Sequence, residues 1–196
     1  MNSKKILLLL SLSLWIVQAE AQTDVETFFS KSQETTNTGM MVLGSWAILN
    51  IATGAYGMTT QAGSTKYFHQ MNLFWNTVNL GIAGYSLISG YLTDTSLLSH
   101  EQMMEKHMFT EKLLLVNAGL DVLYMATGGF LINKSKSSIK RPELLKGYGQ
   151  SLILQGGFLL VFDTFLYLIL HGQSSRFLEN LNVAFTPQSF QIAFRF

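Results

Sequence analysis

VNAGLDVLYMATGGFLI (residues 116–132) and YGQSLILQGGFLLVFDTFLYLILH (148–171) decide how this chain folds. Each stretch is long enough to cross the hydrocarbon of a bilayer, for which a helix needs about 20 residues. Each also carries one acidic residue well inside, Asp121 and Asp163. A carboxylate at such a depth costs about 2.5–3.5 kcal/mol on insertion scales. Residues of this kind face a bundle interior, where they are paired or hydrogen-bonded. The two stretches therefore predict a membrane hairpin with a polar inner side.

Composition points the same way. Of 196 residues, 48% are hydrophobic and 13% charged, where soluble domains carry about 25%. The net charge of +1 leaves no electrostatic footprint for nucleic acid. With no Cys, disulfides, thiolate metal sites, Cys nucleophiles and a lipoprotein anchor are excluded.

Working outward, two further apolar stretches precede the hairpin, Gly39 to Met58 and Gln70 to Tyr91. With Glu111 to Ile132 and Tyr148 to His171, they predict an all-α bundle of four transmembrane helices. Residues 1–21 read as a secretory signal peptide: Lys4 and Lys5, an apolar run too short to span, then Ala19-Glu20-Ala21 as the cleavage triplet. Residues 22–38 are expected to form a polar periplasmic helix, with Thr23 and Glu26 as its capping box. Ser99 and Gln102 form a second such box, from which a helix runs into the third span. Residues 172–196 read as a periplasmic tail. There Phe190, Ile192, Phe194 and Phe196 alternate with polar or small residues, and Val183 and Phe185 precede the turn-like TPQS. This predicts a short β strand or hairpin.

Ala52-Thr53-Gly54 in the first span matches Ala126-Thr127-Gly128 in the third. Each half then reads as a polar helix followed by a helical hairpin, an internal repeat. Charge sets the topology. The hairpin loops carry Lys66, Lys134, Lys136, Lys140, Arg141 and Lys146 against Glu143, while the central connector carries Asp94, Glu101 and Glu105 against Lys106. The basic loops belong inside and both termini outside, which places the expected protein in the bacterial inner membrane. The terminal Phe keeps the outer membrane as the alternative, although a barrel needs at least eight strands.

The polar residues inside the spans are the candidate site. Asn72, Asn76, Asn79 and Ala83 share one face of the second helix. Asn117, Asp121, Tyr124 and Gly128 share one face of the third, Asn50 lies in the first, and Gln155 with Asp163 in the fourth. In lipid these groups must meet one another. They serve as interhelical hydrogen bonds or as a path for protons or ions. His107 and Glu111, one turn apart, are weak candidates for a metal site, but no HExxH or ExxH accompanies them. There is also no nucleophile elbow, phosphate loop or dinucleotide fingerprint. No cofactor is expected.

The pattern Asn117, Leu120, Asp121, Tyr124, Gly128, with Gln155-Gly156, Phe158-Leu159-Leu160 and Asp163, resembles an uncharacterised family of small four-helix envelope membrane proteins from Bacteroidetes-type bacteria. The resemblance covers roughly residues 38–171 and implies architecture, not activity. The leading expectation is a non-enzymatic structural or partner-binding subunit in the bilayer, joined to a protein partner or to its own copies. The alternatives are a small transporter or channel subunit and, last, a metal-dependent membrane enzyme.

Overall fold

The computed structural model describes the backbone of residues 3–185 and the side chains of residues 25–179. The expected signal segment and the alternating stretch 186–196 lie outside that range of side chains. Four helices follow in order: α1 (Ser3–Thr60), α2 (Gly63–Leu92), α3 (His100–Ser135) and α4 (Pro142–Phe185). Among the described residues there is no strand.

α1 does not break between a polar helix and a span. Phe29, Ser32, Met40, Leu43, Ala47, Asn50 and Gly54 are buried and Thr36 is half-buried in one continuous stripe, spaced at three or four residues as one straight helix requires. The backbone of Thr23 therefore lies inside the helix and not at its start. A tight turn leads into α2, and Gly63 takes φ 59°, a left-handed conformation that glycine adopts without steric cost. The connector holds one 3-10 turn, Thr95–Leu97. Ser96 donates to Asp94 from its hydroxyl at 2.7 Å and from its backbone N–H at 3.0 Å, and these bonds hold the Asp94 carboxyl below its usual value. The capping box at the start of α3 forms as expected. Gln102 N–H donates to Ser99 Oγ at 3.2 Å, and Ser99 N–H to Gln102 Oε1 at 2.9 Å.

α4 starts on Pro142, whose missing N–H costs nothing at a first helical position. It passes His171 without a break, burying Leu170 and Ser174 and stacking Phe177 on Phe28. The tail expected from Gly172 is thus helical to Phe185, and Val183 and Phe185 are not strand residues. Helical packing against α1 at Phe28 and Thr35 outweighs the local alternation.

α1 pairs with α2 and α3 with α4, α2 crosses onto α4, and α1 reaches both α3 and α4. The apolar core runs through Met40, Leu43, Ala83, Leu114, Leu159, Leu166 and Leu170. Both hairpins close on glycine. A Cβ at Gly54 would stand 2.9 Å from the His69 carbonyl oxygen, and one at Gly128 would stand 2.6 Å from that of Gly149. The helix backbones touch at these crossings, as small residues allow in lipid.

Three of the helices, α1, α3 and α4, are long and apolar enough to cross a membrane. This marks a membrane protein. α2 has the length, at 30 residues, but falls short of the same hydropathy because three Asn residues and Gln70 dilute it. Its outward side is nonetheless apolar: Phe74, Val78, Ile82, Tyr85 and Ile88 are all more than half exposed.

Candidate functional site

The molecule is inverted in polarity. Asn50, Asn72, Asn76, Asn79, Asp121, Gln155 and Asp163 are buried, whereas leucines, valines and phenylalanines cover the outside. The sequence singled out all seven. Asn117 is half-buried and makes no side-chain hydrogen bond, but lies beside them.

Two polar clusters result. The first is an amide network across α1, α2 and α4, centred on Asn72. Asn72 Nδ2 donates to Asn50 Oδ1 at 2.8 Å. Asn72 Oδ1 accepts from Gln155 Nε2 and, at 3.4 Å, from Asn76 Nδ2. Trp46 Nε1 donates to Gln155 Oε1 at 3.0 Å, and Trp46 stacks on Phe158 with ring centroids 3.9 Å apart. Asn79 joins weakly, donating to Asn76 Oδ1 at 3.5 Å. Each amide meets another amide of opposite polarity, so no ion is needed to satisfy the layer.

The second cluster is the carboxyl pair. Asp121 of α3 and Asp163 of α4 are close neighbours. Gly156 permits this approach, since a Cβ there would stand 2.9 Å from the Asp121 backbone oxygen. Asp121 Oδ2 is buried and finds no N–H or hydroxyl donor. An ionised carboxylate only accepts, so the pair is joined when one member carries a proton. The amide layer and the pair are separate: Gln155 and Asp163 stand about 12 Å apart along α4.

The pair forms part of the floor of a cleft. α2 and α3 do not pack on each other; Trp75 bridges the gap to Tyr124, edge-on, with centroids 4.6 Å apart. Between the two helices lies a cavity of about 780 Å³. It runs from Thr93, Glu105 and Lys106 at the connector down to Asn79, Asp121 and Asp163. Its walls are mostly apolar, with Val78 and Ile82 on one side and Leu113 and Leu120 on the other.

His107 and Glu111 lie elsewhere, at the connector end. His107 Nε2 meets Glu111 Oε1 at 3.1 Å, and its Nδ1 meets Ser32 Oγ at 2.7 Å. Ser174 Oγ donates to the same Glu111 oxygen at 2.9 Å. With the imidazole proton on Nε2, Ser32 donates to Nδ1 and every partner is used. Among the described residues no group of three or more His, Asp or Glu is arranged to hold a metal ion. The expected metal candidates instead form a clasp tying α1, α3 and α4. Ser32 and Ser174 were missed because no motif marks them. The helical spacing of Leu170, Ser174, Phe177 and Leu178 was the available signal.

Searches among curated proteins and among solved structures find no match. Residues 42–164, a stretch that holds the amide network, Asp121 and Asp163 but not the serines of the clasp, match a family description, and the chain belongs to that family, the Family of unknown function (DUF6992).

Proposed function

We propose that this protein is a four-crossing, non-enzymatic membrane bundle that serves as a structural or partner-binding subunit of a cell envelope. The observation that carries this reading is the inverted polarity, with amides meeting amides inside and aliphatic side chains outside. The apolar outward face of α2 supports counting it as the fourth crossing. The basic hairpin loops and the Lys4 to Ala21 segment support an inner-membrane topology with outward termini. The equivalent crossings at Gly54 and Gly128 support descent from a duplicated hairpin.

A second reading, a proton or ion path, is favoured by one observation: the carboxyl pair is reached by the cleft. One pair of measurements separates the two. If the pair is structural, Asp163→Asn retains the fold, because an amide replaces a protonated acid, while Asp163→Leu destabilises it by about 1–3 kcal/mol by stranding Asp121. Proteoliposomes of the wild type then carry no proton flux above empty vesicles. A flux present in the wild type and abolished in folded Asp163→Asn overturns the structural reading.

A further inference from the structure

We propose that the cleft between α2 and α3 is a binding site for a lipophilic primary amine in its ammonium form. Four observations converge on it. First, apart from the neighbouring Asp163 carboxyl, Asp121 Oδ2 is buried at the cleft floor without an N–H or hydroxyl donor, and an ammonium group offers three. Second, of the cleft's lining residues only Lys106, at the connector rim, is a cation, so an ionised member of the pair has no protein counter-charge beside it. An uncompensated charge at mid-membrane is costly, and a bound cation relieves that cost. The other titratable groups along the cleft are Tyr85, Tyr124 and Glu105, and none supplies a positive charge.

Third, Trp75, Tyr124 and Phe162 line the same deep end, where aromatic faces attract a desolvated cation within about 6 Å. Fourth, depth selects the ligand. Asp121 sits roughly 15–17 Å from either end of the third crossing stretch, at 1.5 Å per residue, near the middle of a hydrocarbon layer about 30 Å thick. A phospholipid keeps its headgroup at the interface and does not reach it. A single-chain amine entering from the connector end brings its head to the pair, and its tail lies along Val78, Ile82 and Leu113. Three donors on one nitrogen match two carboxyl groups better than a hydroxyl does, because the contact to a carboxylate is charge-assisted.

The inference rests on the four-crossing reading, and its test uses the full chain in nanodiscs of zwitterionic lipid. Dodecylamine is titrated calorimetrically, with empty nanodiscs as the blank and dodecanol as the uncharged control of equal chain length. The expected result is saturable binding of one amine per chain, at least tenfold weaker for dodecanol and at least tenfold weaker in Asp121→Asn. Ile82→Trp, on the half-exposed wall, fills the cleft without touching the core and is expected to lose binding to the same extent. It carries the test if Asp121→Asn does not fold. No saturable amine binding, equal binding of dodecanol, or undiminished binding in either folded variant overturns the proposal. A protein whose α2 faces lipid but which binds no amine fails here alone and leaves the four-crossing reading standing.

Discussion

Asn72 shows how much a single residue carries when no water is at hand. Its side chain joins Asn50, Asn76 and Gln155 on three helices. Replacing it with Leu strands the Asn50 Oδ1 and Gln155 Nε2 partners. Each buried group left unpaired costs about 1–3 kcal/mol. Asn72→Leu is therefore expected to lower the unfolding midpoint in detergent by more than Asn117→Leu, whose amide makes no side-chain hydrogen bond. Equal midpoints for the two variants would sink the role given to the network. At this scale the sequence was legible. The amides and carboxylates stand out against apolar surroundings, and lipid leaves them nowhere to go but inward. The pairing was legible only in part. Asp121 and Asp163 were expected in one layer with the amides, but Gln155, not Asp163, is the α4 residue that reaches Asn72.

Whole helices depend on features that local pattern hides. α3 buries Met103, His107, Leu114, Asp121, Gly128 and Ser135, a narrow heptad stripe that leaves most of its surface outward. The stripe works because Gly128 lets α3 reach the α4 backbone. A Cβ there meets the Gly149 oxygen at 2.6 Å, whereas one at Gly119 meets nothing within 4 Å. Gly128→Ala is expected to lower the unfolding midpoint, while Gly119→Ala leaves it unchanged or raises it, since Ala exceeds Gly in helix propensity by about 1 kcal/mol. A reversal of that order, read by thermal unfolding in detergent, would contradict the assigned crossing. Helix ends were the least legible feature. Thr23 and Glu26 resemble a cap, and Val183 and Phe185 resemble the start of a strand. Both patterns yield to long-range contacts, Ser32 with His107 and Phe28 with Phe177, which no local signal announces.

The molecule as a whole is two glycine-closed hairpins that pack through α2 and α4 and part between α2 and α3. The number of hairpins followed from length and apolar runs. The parting did not, because it depends on Trp75 holding Tyr124 at the width of two rings, a tertiary distance without a sequence signature. The cleft is also why α2 matters most. It carries the most polar inner face of the four helices, and its hydropathy alone does not place it in a membrane. Phe74, Val78, Ile82, Tyr85 and Ile88 form an outward apolar stripe, and the proposed fourth crossing rests on that stripe. The direct measurement is spin labelling of α2 at Phe74, Val78, Ile82 and Tyr85 in liposomes, comparing collisions with oxygen and with a water-soluble nickel chelate. In a four-crossing bundle oxygen exceeds the chelate at all four positions, with the largest excess at Val78 and Ile82. A chelate excess along this stripe would place α2 in water and contradict the four-crossing bundle.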